Sequence, residues 1–168
     1  MMAGSHVVVG AAAWAVVATL GHHPPADPAA LAAAAAGALL PDIDHPKSWM
    51  GRKLWPVSVL LAALIGHRGL THSLVAVAAT LFLAATFGMG WMALPAAVGY
   101  LSHLAADALT PSGVPLLWPV RWRFALPLCR TGGVLEILVV VALALAAGWA
   151  TGIDFAHLPR PHMASWPG

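Results

Sequence analysis

Charge is what this chain has least of. Only 8% of its 168 residues are charged, six acidic and eight basic, while 60% are hydrophobic. With a mean hydropathy of +0.82, that composition excludes an ordinary soluble globular domain. The small excess of positive charge argues against the basic surface that nucleic acid requires, so no nucleic-acid partner is expected. The single cysteine, Cys129, excludes an internal disulfide and a cysteine-built metal cluster. The start, Met1-Met2-Ala3-Gly4-Ser5-His6, lacks the basic segment of a signal peptide, so the first apolar stretch is expected to be retained. No internal repeat is visible.

What is present is a series of apolar stretches: Val7–Leu20, Ala29–Leu40, Val57–Ile65, Leu74–Leu94, Ala96–Leu109 and Val134–Trp149. A bilayer span needs roughly 17–25 residues. The expected fold is an all-α, polytopic membrane helical bundle of about five spanning helices. Val57–Ile65 is too short to cross and is read as a re-entrant or interfacial helix. Asp27 can cap the second stretch, Pro28 suits its first turn and Pro41 stops it. Its run of Ala and Gly suits close helix packing. One membrane domain, 1–151, is followed by an irregular tail, 152–168. On this topology every Lys and Arg except Arg160 falls on one side, which the positive-inside rule makes cytoplasmic. The loop His22–Asp27 on the other side carries no Lys or Arg.

The few acids are badly placed for solvation. Asp42, Asp44, Asp107 and Glu136 stand at the edges of apolar stretches, beside His6, His67, His72 and His103. An ionised carboxylate near hydrocarbon costs several kcal/mol without a compensating partner, and a divalent cation shared among Asp and His is one. All these residues fall at one depth on the expected topology, although the hydropathy pattern did not require it. His103 and Asp107 are four apart on a helix, so both point the same way and can grip one ion. Pro41-Asp42-Ile43-Asp44-His45-Pro46 sets two carboxylates in a Pro-bounded turn, which suits metal binding or a solvated helix end. In His67-Arg68-Gly69-Leu70-Thr71-His72-Ser73, Gly69 permits a tight turn. Here His72 is favoured as the ligand, with Arg68 placed to contact an anionic group. Imidazole mixed with carboxylate suits Zn, with Mn or Fe as alternatives, and one or two ions. Glu136 reads as a ligand, a general base, or an acid favoured by a helix N-terminus. Arg121, Arg123 and Arg130 suit a phosphate or lipid headgroup, or simply mark the cytoplasmic side. His22, His23, His157 and His162 lie away from this layer.

At these motifs the chain resembles the YdjM-like family of LexA-regulated, metal-dependent hydrolases of the bacterial inner membrane. The resemblance rests on His6, Pro41-Asp42-Ile43-Asp44-His45-Pro46, His67–Ser73, Gly99–Asp107, and Pro111-Ser112-Gly113-Val114 leading to Leu117-Trp118-Pro119, and covers about residues 5–140. A more distant likeness joins His103, Asp107 and Pro111 to the metal helix of zinc-dependent phospholipase C and single-strand nucleases. Gly113 and Gly132 stand where those enzymes carry further histidines, which argues for one or two metals rather than three.

The expected function is therefore a membrane-bound hydrolase acting on a phosphoester of a membrane lipid or lipid-linked substrate through a metal-activated water. The expected metal residues are His6, Asp42, Asp44, His67, His72, His103 and Asp107. Glu136, or an Asp not bound to metal, is the expected general base, and Arg68 is expected to stabilise developing charge. The alternatives are a metal-stabilised membrane protein without catalysis, and a divalent-metal transporter. A transporter should repeat its ligands along a path across the membrane, whereas these cluster at one face.

Overall fold

The computed structural model describes residues 1–65, 68–120 and 122–152. Among them the architecture is all-α: α1 (Ala3–Leu20), α2 (Pro28–Leu39), α3 (Trp49–Lys53), α4 (Trp55–Ile65), α5 (Leu74–Thr86), α6 (Gly90–Ala108) and α7 (Val134–Ala150). Two short 3-10 turns, Leu40–Asp44 and Leu70–His72, complete the helical set. One isolated antiparallel bridge, Val114 to Phe124, pinches the long connection between α6 and α7.

The centre of the bundle is α1, α2 and α6, with α5 against α6 and α7 against α1. Small residues allow this closeness. Ala33, Ala34 and Ala38 of α2 are almost wholly buried. A Cβ at Gly37 would collide with the Ala96 carbonyl, and one at Gly99 would collide with the Ala34 carbonyl. The α2 and α6 backbones therefore touch reciprocally, as small residues permit in membrane bundles. Asp27 caps α2 as expected, accepting from the Ala29 and Ala30 amides, with Pro28 as its first residue.

The boundary between the fourth and fifth apolar stretches lies elsewhere than at Pro95. Helix α5 ends at Thr86, Gly88 takes a φ of 70°, and α6 runs through Pro95. A left-handed glycine stops a helix at little cost, whereas a proline early in a helix removes only one hydrogen bond and can be absorbed. Helix α5 is consequently 13 residues, about 20 Å long.

Among the described residues only α1 is by itself long and apolar enough to cross a bilayer; α4, α5 and α7 are shorter apolar helices. The second helix has 12 residues, and α6 reaches 19 but carries its polar residues internally. Helices α5 and α7 nevertheless turn Phe82, Leu83, Leu135, Ile137, Leu138 and Leu145 outward. Contiguous apolar area of that kind is rare on soluble proteins and marks contact with membrane or partner. Helix α4 packs on α3 and the Leu40–Asp44 turn rather than on the long helices. The expected tail lies outside the described residues beyond Gly152, as do His67 and Arg121.

Candidate metal centre

Four segments converge on one point. The start of α1 supplies His6, the Leu40–Asp44 turn supplies Asp42, and the turn before α5 supplies Arg68 and His72. One face of α6 supplies His103 and Asp107. His6, His72, His103 and Asp107 are each at most 1% exposed. The polypeptide puts them there through its helix contacts: the close α2–α6 packing brings the Ala38 carbonyl to His103 Nδ1, at 2.7 Å.

That hydrogen bond decides the chemistry of His103. A backbone carbonyl only accepts, so Nδ1 carries the proton and Nε2 is left pointing into the site. Among the described residues Nε2 has no hydrogen-bond partner, and neither does His6 Nδ1. What faces His103 Nε2 is carboxylate: Asp107 Oδ2 at 3.8 Å and Asp42 Oδ1 at 3.9 Å. Those distances are too long for a hydrogen bond. A neutral imidazole lone pair aimed at carboxylate oxygens is repulsive, and a cation between them reverses the sign.

The neighbouring spacings fit a shared ion. His6 Nε2 lies 3.4 Å from Asp107 Oδ1, and His72 Nε2 lies 3.9 Å from Asp107 Oδ2. Ligand atoms that each bind one metal at about 2.0–2.2 Å sit roughly 3–3.5 Å apart, slightly closer than seen here. Two overlapping triads have their ligand atoms within 4.8 Å of one another: His6, His103 and Asp107, and Asp42, His72 and His103. The imidazoles of His6 and His103 stack at 3.7 Å, and His72 meets His103 edge-on at 5.3 Å. Since Ala38 engages Nδ1, His103 offers one nitrogen, so the triads describe overlapping choices around a single point. The backbone carbonyl behind His103 is the support that metal-binding histidines commonly have. The donor set, imidazole with carboxylate, fits Zn, Mn or Fe.

Arg68 completes the electrostatics. Its Nη2 pairs with Asp107 Oδ2 at 2.9 Å, its Nη1 donates to the Gly113 carbonyl at 3.4 Å, and its amide donates to Asp44 Oδ2 at 3.0 Å. Arg68 adopts a φ of 58°, a left-handed conformation that side chains rarely take. The Met1 amine also reaches Asp107 Oδ1, at 2.8 Å.

Two expected site residues stand apart from the shared point. Asp44 is fully buried behind His72, with Oδ2 at 3.7 Å from His72 Nδ1 and also accepting from the Thr71 hydroxyl. The Thr71 hydroxyl that donates to Asp44 also lies 3.2 Å from His72 Nδ1, so the carboxylate supports the imidazole through Thr71. Glu136 is fully buried too, but Oε1 accepts from the Met2 amide and the Ser5 hydroxyl, and Oε2 from the Gly132 amide. With both oxygens engaged, it ties the start of α1 to the start of α7. His67 lies outside the described residues. Arg123 donates to the Ser112 carbonyl, and Arg130 is exposed outside the cluster.

Spacing alone did not reveal the supports: the Ala38 carbonyl and the Thr71 hydroxyl. Nor did it reveal a polar pocket of about 240 Å³ beside the cluster, walled by Asp42, His45, Ser48, Trp49, Arg68 and Thr131. Trp49, an aromatic residue between the basic residues Lys47 and Arg52, is the one signal that could have pointed there.

Comparison with known proteins places the chain. The description of the YdjM inner membrane protein family matches residues 1–160. The chain is similar to inner membrane protein YdjM of Escherichia coli (strain K12), at 50% identity over 123 residues, which cover 66% of this chain and 61% of that protein. It therefore spans less than two thirds of that relative's length. It is also similar to the uncharacterized protein YvsG of Bacillus subtilis (strain 168), at 40% identity over 129 residues, covering 72% of this chain and 78% of that one. No solved structure matches.

Proposed function

This chain belongs to the YdjM inner membrane protein family, and from that premise we propose that it is an inner-membrane, metal-dependent hydrolase of a phosphoester carried by a membrane lipid or lipid-linked substrate. The observation that carries this reading is His103: its Nδ1 is committed to the Ala38 carbonyl, while its Nε2 faces two carboxylates at 3.8 and 3.9 Å.

About five spans place the site at the cytoplasmic end of the bundle. Helix α4 lies along that face without crossing. The outward apolar faces of α5 and α7 and the one-sided distribution of Lys and Arg along the sequence support this topology.

His6, His72, His103 and Asp107, with Asp42 at the rim, would hold one divalent ion, Zn before Mn or Fe. Such an ion supplies a water acidified towards neutrality and a Lewis acid for the phosphoryl oxygen. The chain's own groups do the rest. Ala38 orients His103, and Asp44, through the Thr71 hydroxyl, supports His72. Arg68, fixed by Asp107 and Gly113, sets a positive charge where a phosphoryl group would gain negative charge. Asp42 is the one site carboxylate that lines the open pocket, so it is better placed than Glu136 to accept a proton.

Elemental analysis of detergent-purified protein, beside His103→Ala, tests this. About one transition-metal ion per chain, lost in the variant together with phosphate release from a panel of lipid phosphoesters, is the expected result. Wild-type protein that stays metal-free after Zn or Mn reconstitution sinks the reading.

A further inference from the structure

We infer that the polar pocket beside the cluster seats the substrate's phosphate, a phosphomonoester headgroup whose remaining part lies outside the pocket. The inference rests on the metal-centre reading above and adds the substrate class to it. Size is the first ground. At about 240 Å³ the pocket is below the roughly 300–1,000 Å³ that holds a whole drug-sized ligand, so it has room for a phosphate and its ester link with the rest of the substrate outside.

Charge is the second ground. Arg68 lines the pocket, and among the described residues only two of its side-chain donors are engaged, by Asp107 and Gly113. A guanidinium has five donors, so three remain for an anion. Lys53 Nζ lies 5.0 Å from the centroid of the Trp49 ring, so a second cation stands against a residue of the pocket wall. The Ser48 hydroxyl is spent on the Asp42 carbonyl and the Gly51 amide, which leaves it as wall. The Thr131 hydroxyl is exposed and makes no hydrogen bond to another described residue, so it can donate to a phosphate oxygen.

Asp42 supplies the third ground, because its carboxylate shares the same pocket. Beside an anionic ligand it is repulsive unless a cation neutralises it. Phosphate and divalent metal should thus bind cooperatively, each tightening the other by the same factor.

Isothermal titration of the full chain in detergent tests this, first with MnCl2 alone, then with inorganic phosphate at saturating Mn. Dihexanoyl phosphatidic acid is the comparison ligand. The expected result is Mn binding, and phosphate binding weakened about tenfold or more without Mn. Tighter binding of the phosphatidic acid than of phosphate would identify a lipid as the source, and equal binding a soluble phosphomonoester. Arg68→Gln should keep Mn and lose phosphate affinity by about tenfold or more. Thr131→Phe, at an exposed position, fills the pocket and should give the same split. Mn binding without phosphate binding, or unchanged phosphate affinity in both variants, overturns the headgroup assignment and leaves the metal centre standing. Absence of Mn binding overturns both.

Discussion

At the scale of single residues, the cluster divides into groups that would touch the ion and groups that aim them. Asp107→Asn illustrates the first kind. It removes the carboxylate that faces all three imidazoles, so bound metal in elemental analysis should fall to background. Asp44→Asn illustrates the second: it leaves the ion's own partners in place but loosens His72 and the Arg68 turn, so metal affinity should weaken about 10- to 100-fold. A competitive chelator titration reads that difference. Glu136→Gln should behave differently again. Its new amide turns a donor towards backbone or hydroxyl donors at one of the two oxygens. Metal content should hold, while thermal unfolding in detergent shows a loss of about 1–3 kcal/mol. The His103–Asp107 pair was legible in the sequence, because four residues apart on a helix means one face. The division between Asp42 and Asp44 was not. They are two apart in a 3-10 turn, and nothing in their spacing says which carboxylate faces inward. The role of Glu136 was hidden for another reason: its partners Met2 and Ser5 are more than 130 residues away along the chain.

At the scale of elements, the site depends on how closely α2 approaches α6. The Ala38 carbonyl can hold His103 only because Gly37 and Gly99 let two backbones meet. A Cβ at Gly99 would drive into the Ala34 carbonyl, which is backbone and cannot swing aside. Gly99→Ala should therefore push the helices apart, cost about 2 kcal/mol or more, and lower metal occupancy without touching a ligand. Gly4→Ala is the control, since a Cβ there meets nothing and stability should hold. Thermal unfolding and metal content, measured on both, check the pair. The composition of α2 announced this packing, as did its Asp27 cap and Pro28 start. The break between α5 and α6 was misplaced because proline is the louder signal in a sequence. Gly88 ends the helix through a backbone angle that composition does not display.

At the scale of the whole molecule, the question is how often the chain crosses the bilayer, and α4 decides it. If α4 crossed, the residues before and after it would face opposite compartments. Yet the Arg68 amide, beyond α4, donates to Asp44, which precedes it. Ser48, Arg68 and Thr131 also wall one pocket. These contacts favour a chain that dips or lies flat between residues 55 and 65 and returns to the layer it left. The sequence suggested the same through charge, since a crossing α4 would have scattered the basic residues over both sides. Single cysteines read the outcome directly, in a background where the buried Cys129 is replaced by Ala. Ala26→Cys, in the loop after α1, should react with a membrane-impermeant maleimide in intact cells. Lys53→Cys and Thr131→Cys should react only after permeabilisation. If α4 crosses, Lys53→Cys and Thr131→Cys part company, one labelled from outside and one from inside. That split would also separate the walls of the phosphate pocket, so the same experiment that counts the spans tests whether the site can assemble at one face.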